Sequence, residues 1–308
     1  MFQSVNAGDN WNVANSGLIS TWVSALAIDP KTPSLLYAAC GEGGGMFQSM
    51  DGGASWTPIS RGLIDTEMTA VAIDPSTPTT VFAASYYAGA FKSTDRGGNW
   101  YRISGGLPTS AVSAFAIDPA IPTTIYAGTI YRGVFKSLDS GDNWVSTTLT
   151  DAQVYVLAVD PTAPTTIYAG TYNRGLFKST DGGGEWNTIN NGLTNLTIQS
   201  FAVDPATPTT LYAGTYGDGV FKSIDQGDNW VSASVGLGRA YVLSLVVDAD
   251  DSMTLYVGTG GGVFRSTDGA DIWDRIPGMT NQTNALAIDS TTSTLYAGTA
   301  ESGVFVLH

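Results

Sequence analysis

Apolar and polar positions along this 308-residue chain follow a cycle that returns about every 43 residues. Each cycle opens on a nearly continuous apolar run, Val23-Ser24-Ala25-Leu26-Ala27-Ile28-Asp29 in one copy and Ile198 to Asp204 in another, the pattern of a strand buried on both faces. A second run follows, such as Thr210-Leu211-Tyr212-Ala213-Gly214, then a third, Gly219-Val220-Phe221-Lys222-Ser223. The fourth starts at a Trp, as in Trp100-Tyr101-Arg102-Ile103. No window holds a sustained helical period with caps, so the pattern predicts short strands and almost no helix.

The third-strand Phe sets the register. It falls at Phe2, Phe47, Phe91, Phe135, Phe177, Phe221, Phe264 and Phe305, in steps of 45, 44, 44, 42, 44, 43 and 41. Seven periods of this length predict an all-β fold, a seven-bladed β-propeller of four-stranded antiparallel blades, forming a single domain over residues 1–308. The Trp that opens the fourth strand recurs at Trp11, Trp56, Trp100, Trp144, Trp186, Trp230 and Trp273, with Trp22 alone outside the pattern. Third strands number eight against seven of the others, because Met1-Phe2-Gln3-Ser4 and Gly303-Val304-Phe305-Val306-Leu307 both match. The N- and C-terminal strands are therefore expected to share one blade and close the ring, with residues 1–4 the redundant copy.

The turns divide into two kinds. First and second strands are joined by segments like Asp74-Pro75-Ser76-Thr77-Pro78-Thr79-Thr80, third and fourth by Asp225-Gln226-Gly227-Asp228-Asn229-Trp230 and its copies, and both kinds barely change between repeats. In an up-and-down blade these lie on one face of the ring. The loops on the opposite face vary: Gly41-Glu42-Gly43-Gly44, Tyr86-Tyr87-Ala88, Ile130-Tyr131-Arg132, Tyr172-Asn173-Arg174, Tyr216-Gly217-Asp218, Gly260-Gly261 and Ala300-Glu301-Ser302. A repeat scaffold diverges where it binds, which places any site on the variable face.

The repeated Phe-x-Ser-x-Asp-x-Gly-x-x-Trp is a turn lock by its chemistry. The Asp accepts from following amides, the Gly takes a backbone angle other residues resist, and the Trp supplies an apolar plate worth ~1.5–3 kcal/mol when buried. The motif resembles the Asp-box, or bacterial neuraminidase repeat, of sialidases, xyloglucan-cleaving hydrolases, sortilin-type receptors and photosystem II assembly factors, over the whole chain. Asp51, Asp95, Asp139, Asp181, Asp225 and Asp268 keep the acid, Asn6 replaces it in the first copy, and Ala270 replaces the glycine in the last. The resemblance implies the propeller and a structural role for these six aspartates. It implies no single activity, because that family shares the box among enzymes and binders.

Composition narrows the chemistry. A formal charge of −14 with only 13 Lys and Arg argues against nucleic acid, and the longest apolar run, Ala240 to Val247, is too short for membrane insertion. One cysteine, Cys40, excludes an internal disulfide and a thiolate metal cluster, and reads as a small buried residue. The one histidine, His308, is the last residue, which removes Ser-His-Asp, Cys-His and His-based zinc chemistry. Asp139-Ser140-Gly141-Asp142-Asn143 and Asp225 to Asn229 look like calcium loops but keep the box register, and Asp248-Ala249-Asp250-Asp251 is an acidic turn variant; no metal and no cofactor is expected.

The variable face carries the acids Glu42, Asp65, Glu67, Asp151, Asp218 and Glu301, the arginines Arg61, Arg132, Arg174 and Arg239, and the aromatics Trp22, Tyr87, Tyr131, Tyr155, Tyr172, Tyr216 and Tyr241. The leading expectation is a non-catalytic scaffold, monomeric and secreted or periplasmic, that binds a protein segment or carbohydrate through Tyr87, Tyr131, Arg132, Tyr172, Arg174, Tyr216, Asp218 and Arg239. The alternative is a sialidase-like or xyloglucanase-like glycoside hydrolase using two of Asp218, Glu301 and Glu42. The sialidase resemblance also implies a three-arginine carboxylate clamp with a Tyr–Glu nucleophile, on a six-bladed rather than a seven-bladed ring. Tyr101-Arg102-Ile103-Ser104 and Asp274-Arg275-Ile276-Pro277 look like the arginine motif of that family, but fourth-strand register explains both.

Overall fold

The apolar cycle folds as the register predicts. The structure, a computed structural model, describes residues 11–108 and 111–308, so Phe2, Asn6 and the 1–4 strand copy lie outside the described residues. Among the described residues every regular element is a strand. Seven four-stranded antiparallel sheets follow one another, and in six of them the strand order is the chain order. Blade 1 comprises Val23–Ile28, Leu36–Cys40, Gly45–Ser49 and Thr57–Pro58, and blade 5 comprises Ile198–Val203, Leu211–Thr215, Val220–Ser223 and Val231–Ser232. First strands of successive blades touch all the way round, and blade 7 touches blade 1. The protein is a seven-bladed β-propeller.

Blade 7 closes the ring. Its strands are Thr283–Asp289, Thr294–Thr299, Val304–Leu307 and, from the other end of the chain, Asn12–Val13. Asn12 pairs with Val306 and Val13 with Phe305, so the third-strand position belongs to the C-terminal copy.

Second strands are fully buried, as in Leu211–Thr215, while first strands mix buried and half-buried positions, as in Val23–Ile28 and Val112–Ile117. The expectation that first strands would be buried on both faces is thus corrected. Their inner faces line a central channel of about 490 Å³ walled by Leu26, Ile28, Val203, Leu245, Val247 and Ile288. The continuous apolar run arises because one face meets the next blade and the other meets this apolar wall.

The core consists of interblade seams rather than one central cluster. Phe82, Ala84 and Ala90 of blade 2 pack with Val112, Ile125, Phe135 and Trp144 of blade 3, and the pattern repeats round the ring. A polar clamp reinforces three seams. Lys136, Lys178 and Lys222 lie over Tyr126, Tyr168 and Tyr212 of their own blades, and each donates to a box carbonyl of the next blade, at Gly182, Gln226 and Gly269. Cation–π attraction and a charge-assisted hydrogen bond therefore act through one ammonium.

Candidate functional site

The box is a structural lock. Asp225 Oδ1 accepts from Ser223 Oγ at 2.7 Å and from the Asn229 amide at 2.9 Å, while Oδ2 takes Asn229 Nδ2 at 2.8 Å. Ser223 Oγ in turn accepts from the amide of Gly227, whose φ of 94° is in the left-handed region. Ala270 takes the same turn with a φ of 75°, so the box tolerates a side chain there. Asp139 is held the same way by Ser137 and Asn143. In the acidic turn, Asp248 accepts from Asp250 and Asp251 from Met253 and Thr254. No group of three or more metal-ligating side chains forms among the described residues.

These hydrogen bonds hold the carboxyls of Asp95, Asp139 and Asp225 down at about 2, the first-ranked cause being the side-chain amide of Asn99, Asn143 and Asn229 respectively. An unfolded aspartate titrates near ~3.9. The folded value is the lower one, so the lock's contribution is complete above about pH 4 and is lost as pH falls towards 2. Urea midpoints measured from pH 7 to 2 should show Asp139→Asn less stable than the wild type at pH 7, with the gap closing towards pH 2. A gap independent of pH would contradict the lock.

The opposite face is anchored by buried hydroxyls at the ends of second strands. Thr129, Thr171, Thr215, Thr259 and Thr299 each donate to the carbonyl of the glycine that opens the third strand or immediately precedes it. Cys40 takes this place in blade 1, fully buried, and burial pushes its thiol up to about 12. The variable loops project beyond these anchors.

Their tyrosines form an arc. Tyr87, Tyr131, Tyr172, Tyr216 and Tyr241 are exposed by 43 % to 69 %. Tyr86 lies edge-on to Tyr87 with ring centroids 4.9 Å apart, and its hydroxyl is 3.4 Å from that of Tyr131. Tyr155 meets Tyr172 edge-on at 6.0 Å. Burial raises the Tyr155 phenol above its ordinary value, and the neighbouring phenols of Tyr172, Tyr131 and Tyr216 add to the rise. Tyr216 stacks on Tyr241 at 4.3 Å and 21°, with their backbones joined by a β-bridge. Seven tyrosines thus run over blades 2 to 6. Tyr86, Tyr155 and Tyr241 are the links that a one-loop-at-a-time reading undervalues, since their role appears only once adjacent blades are side by side.

The charged candidates separate. Arg239 donates from Nε and Nη2 to Asp218 Oδ1 at 3.1 and 2.8 Å, and Thr194 donates to Asp218 Oδ2. Arg174 lies 5.1 Å over the Phe177 ring and donates to the Asp151 carbonyl. Arg132 is exposed on the blade 3 loop, and Arg61 is exposed on the connection between blades 1 and 2. Asp65 accepts from Ser85 Oγ and the Tyr87 amide, and Glu67 from the Gly43 amide, so both brace loops. Glu42, at a φ of 51°, and Glu301 stand on blades 1 and 7, two blades from the Asp218 loop at the nearer. Trp22 packs beside Gly41 on blade 1, away from the arc.

No protein-family model matches the chain, and no curated protein does. Solved structures match its fold. The GH74 xyloglucanase from Xanthomonas campestris aligns with TM-score 0.81 at 18 % identity, over 96 % of this chain and 53 % of that one. The extracellular domain of a putative hybrid two-component system from B. thetaiotaomicron aligns with TM-score 0.77 at 17 % identity, over 97 % and 39 %. YCF48 bound to D1 peptide aligns with TM-score 0.74 at 15 % identity, over 99 % and 98 %. The chain spans about half the length of the xyloglucanase. At these identities the likeness concerns the fold, which enzymes and binding proteins share.

Proposed function

We propose that the protein is a non-catalytic binding scaffold, a single monomeric domain, that takes an extended protein segment or glycan across its variable face. The observation that carries this is the tyrosine arc. Exposed phenols on five consecutive blades, grouped by the Tyr86, Tyr155–Tyr172 and Tyr216–Tyr241 contacts, offer apolar faces and hydroxyls at little entropic cost, as binding surfaces do. YCF48 bound to D1 peptide supports the protein-segment reading, and the GH74 xyloglucanase supports a glycan. The extracellular two-component domain supports a secreted or periplasmic setting. Of the three carboxylates open to the hydrolase alternative, Asp218 is already engaged by Arg239 and Thr194, which leaves Glu42 and Glu301 on the neighbouring blades 1 and 7.

Peptide and glycan arrays probed with the wild type and with a Tyr131→Ala/Tyr172→Ala/Tyr216→Ala variant test the proposal. Each lost aromatic contact is worth ~0.5–1.5 kcal/mol, so the triple variant should bind the best wild-type hit roughly 100-fold more weakly at an unchanged melting temperature. Undiminished binding by the triple variant, or turnover of aryl sialosides or xyloglucan oligosaccharides abolished by Asp218→Asn, would count against it.

A further inference from the structure

The variable face has little free charge to offer a partner. Its six acids are matched by six arginines, Arg61, Arg132, Arg174 and Arg239 from the loops and Arg102 and Arg275 from fourth strands, so the chain's −14 falls on the rest of the molecule. Four of these arginines are held internally. Arg102 donates from Nε to the Ala88 carbonyl at 3.0 Å, Arg275 to the Gly261 carbonyl, Arg174 to the Asp151 carbonyl and Arg239 to the Asp218 carboxylate. What the face presents instead is phenol.

The phenols are rooted in the scaffold. Tyr86, Tyr172 and Tyr216 share one repeat position, the residue after the second strand, and their amides donate to the carbonyls of Glu67, Gln153 and Thr197 at 2.9, 2.9 and 3.0 Å. Tyr155 belongs to a first strand, Val154–Val159. Burial first, and then the phenols of Tyr172, Tyr131 and Tyr216, raise the Tyr155 phenol, which marks it as the point where the loops of three blades converge.

The rings form two notches and a platform. Tyr86 and Tyr155 are half-buried, and each meets an exposed ring edge-on: Tyr87 at 74° and Tyr172 at 63°. Two rings at so steep an angle leave a notch with one fixed wall and one exposed wall. Tyr131 stands on the blade between them, its hydroxyl 3.4 Å from that of Tyr86. Tyr216 and Tyr241 lie flat on one another instead, at 21°.

The known ways of holding a peptide divide on these features. An added strand needs a long sheet edge, and the outer edges here belong to two-residue fourth strands on the rim. A phosphorylated or acidic motif needs an arginine cluster, which the internal contacts take apart. A polyproline II segment needs aromatic notches and hydroxyl donors. It is stiff and uncharged, its pyrrolidine rings fill gaps between ring faces, and its carbonyls are all free to accept. Proline also brings no N–H that the surface would have to satisfy.

We propose that the tyrosine arc docks a proline-rich polypeptide segment in the polyproline II conformation, with prolines seated in the Tyr86–Tyr87 and Tyr155–Tyr172 notches and Tyr131 beneath the stretch that joins them. This rests on the scaffold reading and narrows its partner to a protein segment. A glycan would pair its hydroxyls with carboxylates, and Asp218, beside the flat Tyr216–Tyr241 stack, is already taken by Arg239 and Thr194.

The test titrates the full ¹⁵N-labelled chain with acetyl-nonaproline-amide, a Gly-Ser nonapeptide blocked in the same way, and cellohexaose. Nonaproline should shift the amides of Tyr87, Tyr131 and Tyr172 and bind at least ~10-fold more tightly than the Gly-Ser peptide, which lacks both the rings and the preformed helix. Tyr87→Ala and Tyr172→Ala each remove one wall of a notch and should each weaken binding about tenfold, at an unchanged melting temperature. Tyr172→Phe keeps the wall and should weaken it less than Tyr172→Ala. Equal affinity for the two peptides overturns the proposal, as does retained nonaproline affinity in a folded Tyr87→Ala/Tyr172→Ala chain. If that double variant fails to fold, the comparison of the two peptides on the wild type decides. Cellohexaose shifting these amides where nonaproline shifts none, or a proline-free array hit that still depends on Tyr131, Tyr172 and Tyr216, removes this inference and leaves the scaffold reading standing. Array binding that ignores the tyrosine variants removes both.

Discussion

Replacing Trp230 by alanine is expected to cost about 3–5 kcal/mol of folding stability, and the same change at Trp186 clearly less. Trp230 is 3 % exposed in the seam between blades 4 and 5, against Leu176, Leu211 and Phe221. Its Nε1 donates to the Ile189 carbonyl and its amide to the Asn191 carbonyl, both at 2.8 Å. Gly192 closes over it so tightly, at a φ of 95°, that an added Cβ would stand 2.1 Å from the Trp230 oxygen. Alanine would lose the ring's burial and leave the Ile189 carbonyl without its donor. Trp186 has neither support. It is half-buried, its Nε1 finds no partner among the described residues, and Thr150 stands where the connections over Trp56, Trp100, Trp144, Trp230 and Trp273 place this glycine. Urea unfolding at pH 7 measures both, and equal losses at the two positions would contradict this account. Trp186→Phe should cost least of all, since it removes an N–H that is already unsatisfied.

Trp186 also shows what was legible in the sequence. The ring, its seven blades and the box register followed from the spacing of Phe and Trp, because each blade solves the same packing problem with the same residues. The two shortest steps, 42 before Phe177 and 41 before Phe305, mark the two connections that break the pattern, and the Trp residues they precede, Trp186 and Trp11, are the two box tryptophans left half-buried with no Nε1 partner among the described residues. The departure was visible as a number before its consequence was visible as a structure.

The candidate site was legible as a face and as a list of tyrosines and arginines, but not as a set of contacts. Which arginines are spent internally depends on side-chain reach: Arg174 settles on Phe177 and Arg239 on Asp218, whereas Arg132, at the repeat position of Arg174, does neither. Arg102 and Arg275, correctly read as fourth-strand residues, gain meaning only from the carbonyls they reach across the sheet. A repeat register assigns strand positions and leaves side-chain partners open.

Deleting Val304–Leu307 is expected to unfold the ring rather than trim it. This strand lies between Thr294–Thr299 and Asn12–Val13 and pairs with both. Val304, Val306 and Leu307 are buried, and their apolar area alone is worth ~5 kcal/mol, the lower end of a typical domain's whole stability. The loss does not stop there. Asn15 donates to the Ser302 carbonyl at 2.7 Å and accepts from the Val304 amide at 2.6 Å, and the Ala14 amide donates to the Val304 carbonyl at 2.9 Å, so the N-terminal strand is held by the C-terminal one. Without it the second strand of blade 7 becomes an open edge and the seam with blade 1 loses its outer layer. Met1 to Ser4 carry the same strand pattern, but the box that follows them has Asn6 in place of the aspartate and so lacks the charged lock of the other six. Urea midpoints of two deletions decide between the copies: removal of residues 1–4 should leave the wild-type value, and removal of 304–308 should abolish the cooperative transition. A wild-type midpoint in the C-terminal deletion would show instead that the N-terminal copy can close the ring.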